Sequence, residues 1–351
     1  MGRKIGVVDL FSGAGGFSHG FRSAGFRVLA GIDNDPYSIN TYRLNFKTSR
    51  AINEDLRALS SQTKSFIRSI KSSTDVVVGG PPCQGFSIAG KRLADDPRNK
   101  LYKEYIEVVD YLRPTYVVME NVPTILSLKN GKISQGIISD LELLGYQVAV
   151  CTVNASDYGI PQNRRRTFFI GKLRSTPVSF KDIEKVSEKL TTFDAISDLP
   201  YHTRYFSEDP LPYTKSPKNE YQSKMREKSE LIYNHWCVEH KPETTRIINM
   251  VPDGGNYKDL PRSLQSTRKV NIAWTRMNSK KPSFTIDAGH NHHFHYSANR
   301  VPTVRESARI QSFPDNFVFK GIKTSQFRQV GNAVPPLLVK GLARMILRDI
   351  S

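Results

Sequence analysis

Two residues capable of covalent chemistry sit just past apolar runs. Cys83 lies in Pro81-Pro82-Cys83-Gln84-Gly85-Phe86, which follows Asp75-Val76-Val77-Val78. Glu120 opens Glu120-Asn121-Val122, which follows Tyr116-Val117-Val118-Met119. Short apolar runs bounded by Gly and Pro read as buried strands. In an open α/β sheet, ligands collect beyond the carboxyl ends of the strands. A thiol and a carboxyl group would then meet over one pocket. Some thiolate exists at neutral pH and is intrinsically nucleophilic. The pair suits attack on a ring that an acid must activate.

A third feature lies near the N-terminus. The turn Ser12-Gly13-Ala14-Gly15-Gly16 follows an apolar run over 5–11. Glycines there let the backbone approach a ligand closely. Asp33 ends the next run, 28–32, where an acid typically accepts ribose hydroxyls. Position 18, the third glycine of a dinucleotide fingerprint, is Ser18. A nucleoside cofactor without pyrophosphate fits this loop better than NAD.

These residues need a scaffold of alternating strands and helices. Further strands are expected near 75–79, 116–119, 146–153 and 167–171, with helices near 35–46, 100–112 and 134–144. The alternation predicts an α/β fold with a doubly wound sheet. After about Thr176 the regularity fails, and Pro200, Pro210, Pro212 and Pro217 fall among polar residues. Weak periods to about 299 predict a smaller, irregular second domain. Order returns at Arg300, and a final amphipathic helix covers about 335–349. The expected domains are 1–185, 186–329, and 330–351 returning to the first.

Lys plus Arg number 51 against 33 Asp plus Glu, a net charge of +18. That balance favours a polyanionic partner such as nucleic acid. The three cysteines, Cys83, Cys151 and Cys237, form no Cys-x-x-Cys. This argues against a disulfide scaffold or a four-cysteine zinc site and fits a reducing cytosol. Cys151 reads as core. No apolar stretch approaches ~18 residues, so no membrane span is expected. No signal-peptide core precedes the first strand. His290, His292, His293 and His295 cluster, but no acid or Cys completes a metal set at useful spacing. DNA contacts or packing are the expected role. His235-x-Cys237-x-x-His240 is read the same way, and no metal is expected.

Six motifs occur in one order: Asp9-Leu10-Phe11-Ser12-Gly13-Ala14-Gly15-Gly16, Gly80-Pro81-Pro82-Cys83-Gln84-Gly85-Phe86-Ser87, Glu120-Asn121-Val122, Gln162-Asn163-Arg164-Arg165-Arg166, the stretch from Thr303 to Pro314, and Gln329-Val330-Gly331-Asn332-Ala333-Val334-Pro335-Pro336. The series resembles the DNA cytosine-5 methyltransferases over nearly the whole chain except about 175–275. The chain looks like a bacterial modification methylase, with the family's Rossmann-like, S-adenosylmethionine-dependent sheet and a smaller target-recognition domain. Asp33 departs from the Glu that many members carry, and either carboxylate can reach ribose hydroxyls.

The resemblance implies a methyl donor, S-adenosyl-L-methionine, held by Phe11, Gly13, Gly15, Asp33, Asp55, Pro81 and Asn332. It implies double-stranded DNA as substrate, with the target base flipped out. Cys83 would add to C6 of cytosine and Glu120, kept protonated by burial, would serve N3. Arg166 would bind O2 or brace the nucleophile, and Arg164 would hold a phosphate or an acid. Gln84, Ser87, Arg98, Arg276 and Thr285 would contact DNA. The loop after Cys83, with Lys91, Arg92 and Lys100, suits a closing lid. A cytoplasmic, nucleoid-associated monomer is expected, with a companion restriction endonuclease acting on the same site. Alternatives are a transfer-RNA methyltransferase of the same family and a non-catalytic DNA-binding protein. Intact Cys83, Glu120, Arg164 and Arg166 argue against the latter.

Overall fold

The computed structural model describes residues 3–82, 101–201, 210–237, 239–265, 274–288 and 293–351. The chain divides into two compact units. The first comprises Met1–Asn154, Arg165–Glu184 and Val334–Ser351, and the second Ala155–Arg164 and Lys185–Ala333. The chain therefore crosses at 155–164 as well as near the expected 185/186 boundary, and returns at Val334 rather than at 330.

Unit 1 is built on seven strands: β1 (Gly6–Leu10), β2 (Arg27–Asp33), β3 (Arg50–Asn53), β4 (Val76–Gly79), β5 (Tyr116–Asn121), β6 (Tyr146–Asn154) and β7 (Arg165–Leu173). Their order is β3-β2-β1-β4-β5-β7-β6. Strands β1 to β5 pair in parallel, and β7 runs antiparallel to both β5 and β6. The helices of this unit are α1 (Gly16–Ala24), α2 (Pro36–Asn45), α3 (Ser61–Ser69), α4 (Leu101–Leu112), α5 (Lys132–Leu143) and the C-terminal helix, Pro336–Ile350. This is the expected doubly wound α/β fold.

The core explains the strand pattern. Every residue of β1, β4 and β5 is buried, as expected of central parallel strands covered on both faces. Val8, Ile32, Val77, Val117, Met119 and Phe169 join one cluster, each contributing roughly 1.5–3 kcal/mol by burial. Local signals set the helix starts. Asp35 accepts from Tyr37 N with Pro36 at the first helical position of α2, and Ser60 accepts from Thr63 N at α3.

The segment Lys323–Ile350 is apolar enough, at a mean hydropathy of 1.2 in its best window, to pass for a membrane span. It is a pair of helices broken at Ala333–Pro335, and 56% of that window is buried within the protein. Leu338, Val339, Leu342 and Ile346 of the C-terminal helix are buried, which makes it a core helix.

Unit 2 is more ordered than the weak sequence periods suggest. It holds α6 (Thr192–Ile196), α7 (Glu220–Arg226), α8 (Pro242–Met250), α9 (Arg262–Gln265), α10 (Val304–Ile310) and α11 (Lys323–Asn332). Two short ribbons pair β8 (Leu211–Pro212) with β9 (Leu231–Ile232), and β10 (Thr275–Arg276) with β11 (His293–Phe294). Ile247, Ile248, Val251, Trp274 and Phe294 form a small core. Buried ion pairs do much of the rest. Arg309 contacts Asp198 at 3.0 Å and Asp315 at 2.6 Å. Arg300 grips both oxygens of Glu306, at 2.8 and 2.7 Å. Burial alone would raise the Glu306 carboxyl, but the Arg300 guanidinium outweighs it and holds the group below its ordinary value.

Candidate active site

The carboxyl edge of the unit 1 sheet carries most of the expected residues that are described. Phe11 follows β1 with φ 55, Gly13 has φ 52 and Gly15 has φ 100. A left-handed aromatic residue is a strained feature that marks functional loops. A Cβ on Gly13 would meet nothing within 4 Å, so this loop faces open space. Asp33, at the end of β2, accepts Gly13 N at 2.8 Å and Asp35 N at 2.8 Å. Burial raises its carboxyl above the ordinary value despite these bonds. Two backbone N–H groups leave lone pairs on a carboxylate, so Asp33 can still accept ribose hydroxyls. Aromatic Phe11, the open glycine turn and Asp33 together suit a nucleoside.

Asp55 follows β3, but its carboxylate is engaged. It accepts Arg57 N and Nε at 3.0 Å each and Nη2 at 2.6 Å. The Arg57 bonds hold the Asp55 carboxyl down to about 2. Pro81 follows β4, is buried, and offers its carbonyl to Asn121 Nδ2 at 3.0 Å. Asn121 Oδ1 accepts Val122 N at 2.9 Å. Asn121 thus ties the loop after β4 to the end of β5, a role that sequence reasoning missed. An amide side chain directly after Glu120, at the end of an apolar run, was its signal.

Glu120 lies at the end of β5 and is 8% exposed. Because β7 runs antiparallel, its first residues reach the same edge, with Asn121 opposite Thr167. Arg166 Nε sits 2.8 Å from Glu120 Oε1. Burial lowers the Arg166 guanidinium, and Glu120 pulls it back up. A cation at this distance favours the ionised carboxylate. Burial is therefore not the sole influence on Glu120. Arg165, next in the strand, is exposed, as the alternation of strand side chains requires.

Arg164 does not join this pair. It belongs to unit 2, is 1% exposed, and donates to the carbonyls of Ile286 at 3.1 Å, Gly331 at 2.7 Å and Ala333 at 3.0 Å. Its expected phosphate or acid partner is replaced by backbone carbonyls. Asn332 is exposed between two of the residues Arg164 holds. Thr285 is half-buried, with its hydroxyl donating to Asn163 O at 2.8 Å.

Arg276 also departs from expectation. It is 4% exposed. Nε donates to Val251 O, Nη1 to His295 O and Ala298 O, and Nη2 to Ile248 O and Asn299 Oδ1. All five guanidinium donors are used within the fold, so Arg276 frames unit 2 and has none left for DNA.

The histidines have internal partners. His235 contacts Thr303 Oγ1 at 2.8 Å and Pro200 O at 3.0 Å. His295 Nδ1 accepts Ala298 N at 2.9 Å. Burial pushes both rings down to about 4. Among the described residues, no three His, Cys, Asp or Glu are grouped to hold a metal ion. Cys83, Gln84, Ser87, Lys91, Arg92, Arg98, Lys100, His290 and His292 lie outside the described residues.

Beneath the glycine turn sits a group the sequence did not single out. Asp9 Oδ2 accepts Ser18 N at 3.1 Å and Ser18 Oγ at 2.7 Å, and Ser18 Oγ meets Tyr42 OH at 2.7 Å. The other oxygen, Oδ1, is buried without a hydrogen bond among the described residues. Burial pushes the Asp9 carboxyl up to about 7.

A 3-2-1-4-5-7-6 sheet with an open glycine turn and an acid–guanidinium pair on one edge suits a doubly wound methyltransferase. Residues 5–348 match the description "C-5 cytosine-specific DNA methylase". The chain belongs to that family and is a DNA (cytosine-5-)-methyltransferase. It is 40% identical to the type II methyltransferase M1.HphI of Haemophilus parahaemolyticus, over 98% of this chain and 87% of that one. It is 36% identical to the type II methyltransferase M.DdeI of Desulfomicrobium norvegicum, over 97% and 88%. Among solved structures it is similar to a prophage-encoded E. coli protein assigned as a DNA modification methyltransferase, with a TM-score of 0.83 and 29% identity, covering 98% of this chain and 99% of that chain.

Proposed function

We propose that this enzyme methylates C5 of one cytosine in a specific double-stranded DNA sequence by covalent addition of Cys83 to C6. The observation that carries the reading is the Glu120–Arg166 pair at 2.8 Å, at the strand end beside the loop that leads into Cys83. S-adenosyl-L-methionine, which the open turn of Phe11, Gly13 and Asp33 suits, supplies an electrophilic methyl group. The remaining work falls to side chains. The target base leaves the stack, since C6 is unreachable within a duplex. The Cys83 thiolate forms a bond to C6, the ring loses aromaticity, and electron density moves towards N3 and C5. Cytosine O2 accepts from Arg166 and draws the guanidinium away from the carboxylate. Glu120, which takes up a proton from solvent as the guanidinium leaves it, donates that proton in a hydrogen bond to N3 and offsets the developing charge. After methylation, a water takes the C5 proton, the C6–S bond breaks with its electron pair returning to the Cys83 sulfur, and the ring regains its aromaticity.

Unit 2 carries sequence recognition in this reading, with Thr285 contacting the backbone at the flipped nucleotide. The likeness to two type II methyltransferases at 40% and 36% identity supports the modification half of a restriction-modification system. A monomer in the bacterial cytoplasm, at the nucleoid, completes this reading, and the net charge of +18 suits its DNA partner. DNA carrying 5-fluorocytosine at the target tests the chemistry, because fluorine cannot leave as a proton does. A stable protein–DNA adduct mapped to Cys83 is expected. No adduct at a site that the enzyme methylates would overturn the covalent route.

A further inference from the structure

Three segments of unit 2 meet around two buried side chains. Segment 161–164 runs beside 283–286, with Ser283 N donating to Pro161 O at 3.0 Å and Asn163 N to Ser283 O at 2.7 Å. Gln162 is fully buried. Its Oε1 accepts Ile286 N at 3.0 Å, and its Nε2 donates to Ile310 O at 3.3 Å and to Gln311. Arg164 donates to Ile286 O, so these two side chains hold both the N–H and the carbonyl of one residue. Thr285, immediately before it, is fixed by its hydroxyl on Asn163 O. The same guanidinium reaches Gly331 O and Ala333 O, and Gln311 also donates to Ala333 O. Gly331 lies so close to this segment that a Cβ on it would come 2.2 Å from Asp287 O.

We propose that Arg164 and Gln162 are positioning residues that fix the backbone of Thr285-Ile286 in the shape with which unit 2 contacts DNA. The inference rests on the reading that this segment meets the DNA backbone. The bonds go to peptide groups, so they set conformation whatever the neighbouring side chains are. A planar guanidinium with forked donors spans three carbonyls, which a lysine ammonium on a flexible stem does not reproduce. A buried peptide N–H left without its acceptor is costly, so the segment would shift rather than stay in place. Loss of this frame should weaken DNA engagement and leave the strand-end chemistry of unit 1 intact.

The test compares Arg164→Lys, Gln162→Met, Thr285→Ala and the Arg164→Lys/Thr285→Ala double variant in the full chain. KM for target DNA, kcat, S-adenosylhomocysteine affinity and Tm are measured for each. The expected result for Arg164→Lys is a rise of about 10-fold in KM for DNA, with kcat and S-adenosylhomocysteine affinity unchanged. Thr285→Ala should raise the same KM, and the double variant should match Arg164→Lys within about twofold, because coupled contacts are not additive. An unchanged KM in Arg164→Lys, with Tm alone lowered, would overturn the proposal, as would fully multiplicative effects where both single variants raise KM. If Arg164→Lys fails to fold, Gln162→Met must give the same KM–kcat split, and an unchanged KM there counts against the proposal. A silent Thr285→Ala beside a raised KM in Arg164→Lys would support the positioning role and refute the hydroxyl contact alone.

Discussion

Arg166 Nε lies 2.8 Å from Glu120 Oε1, across the edge where antiparallel β7 meets the end of β5. The strand direction makes this contact possible. A parallel β7 would bring Leu173, its last residue, to that edge. In the proposed mechanism, an entering base must rearrange this pair.

Glu120→Gln removes the group that holds the proton and keeps its shape. Its kcat should fall by about 10²–10⁴, the usual contribution of a positioned acid, while target DNA binding stays within a few-fold. Arg166→Ala should also lower kcat, since it removes the donor proposed for cytosine O2. Single-turnover methylation with saturating DNA separates chemistry from binding. Wild-type rates in Glu120→Gln would remove Glu120 from the mechanism.

Asp33 shapes the turn through Gly13 N and Asp35 N, and in the proposed site it also holds the nucleoside. Asp33→Asn keeps one acceptor oxygen and loses the charge-assisted bond from either Gly13 N or Asp35 N. Such a bond contributes about 1.5–3 kcal/mol, so S-adenosylhomocysteine affinity should fall about 10–100-fold. DNA binding without donor should hold steady. Isothermal titration measures the first and a filter-binding titration the second. Undiminished donor affinity would place the nucleoside elsewhere.

Asp9 makes stability depend on pH. Its carboxyl is raised in the folded chain, to about 7 from 3.8. The folded state then holds a proton that the unfolded chain releases. That stabilisation is complete below about pH 4 and is lost as pH rises towards about 7. His235 and His295 act in the opposite sense. Their rings are lowered to about 4, so their contribution is present above about pH 6.5 and lost as pH falls towards 4. Asp9→Asn should therefore remove the opposing contribution and make stability rise more steeply with pH between about 4 and 6.5, as read by urea midpoints. An unchanged slope in that variant would mean that Asp9 is ionised throughout.

Arg276 is expected to act on stability and not on sequence choice. Arg276→Ala strips donors from four carbonyls and from Asn299, and should destabilise the protein by about 3–5 kcal/mol, the scale of breaking a buried polar network. The methylated sequence context should not change below the melting range. A stable variant with an altered target would return Arg276 to the DNA surface.

Much of this was legible in the residues. The continuous apolar runs around Val77 and Val118 announced buried parallel strands, and their ends carry Pro81 and Glu120 as expected. β3 escaped notice because Arg50-Ala51-Ile52-Asn53 buries only Ile52 fully, too little for a period. The direction of β7 was not legible, since an apolar run such as Phe168-Phe169-Ile170 reads the same either way. The separation of Arg164 from Arg166 was likewise hidden. Alternation predicts that Arg165 faces away from both, but it does not show that the chain changes unit between Arg164 and Arg165. Unit 2 looked irregular because hydrogen bonds and ion pairs, such as those of Arg276 and Arg309, replace the apolar stripes that mark longer helices.

The account stands most directly on conversion sequencing of DNA from a methylation-free bacterium expressing this chain, compared with its Cys83→Ala variant. Protected cytosines in one recurrent context, present with the wild type and absent with the variant, are the expected result. A soluble wild-type chain that leaves no cytosine protected, or a Cys83→Ala chain that protects the same sites, would contradict it.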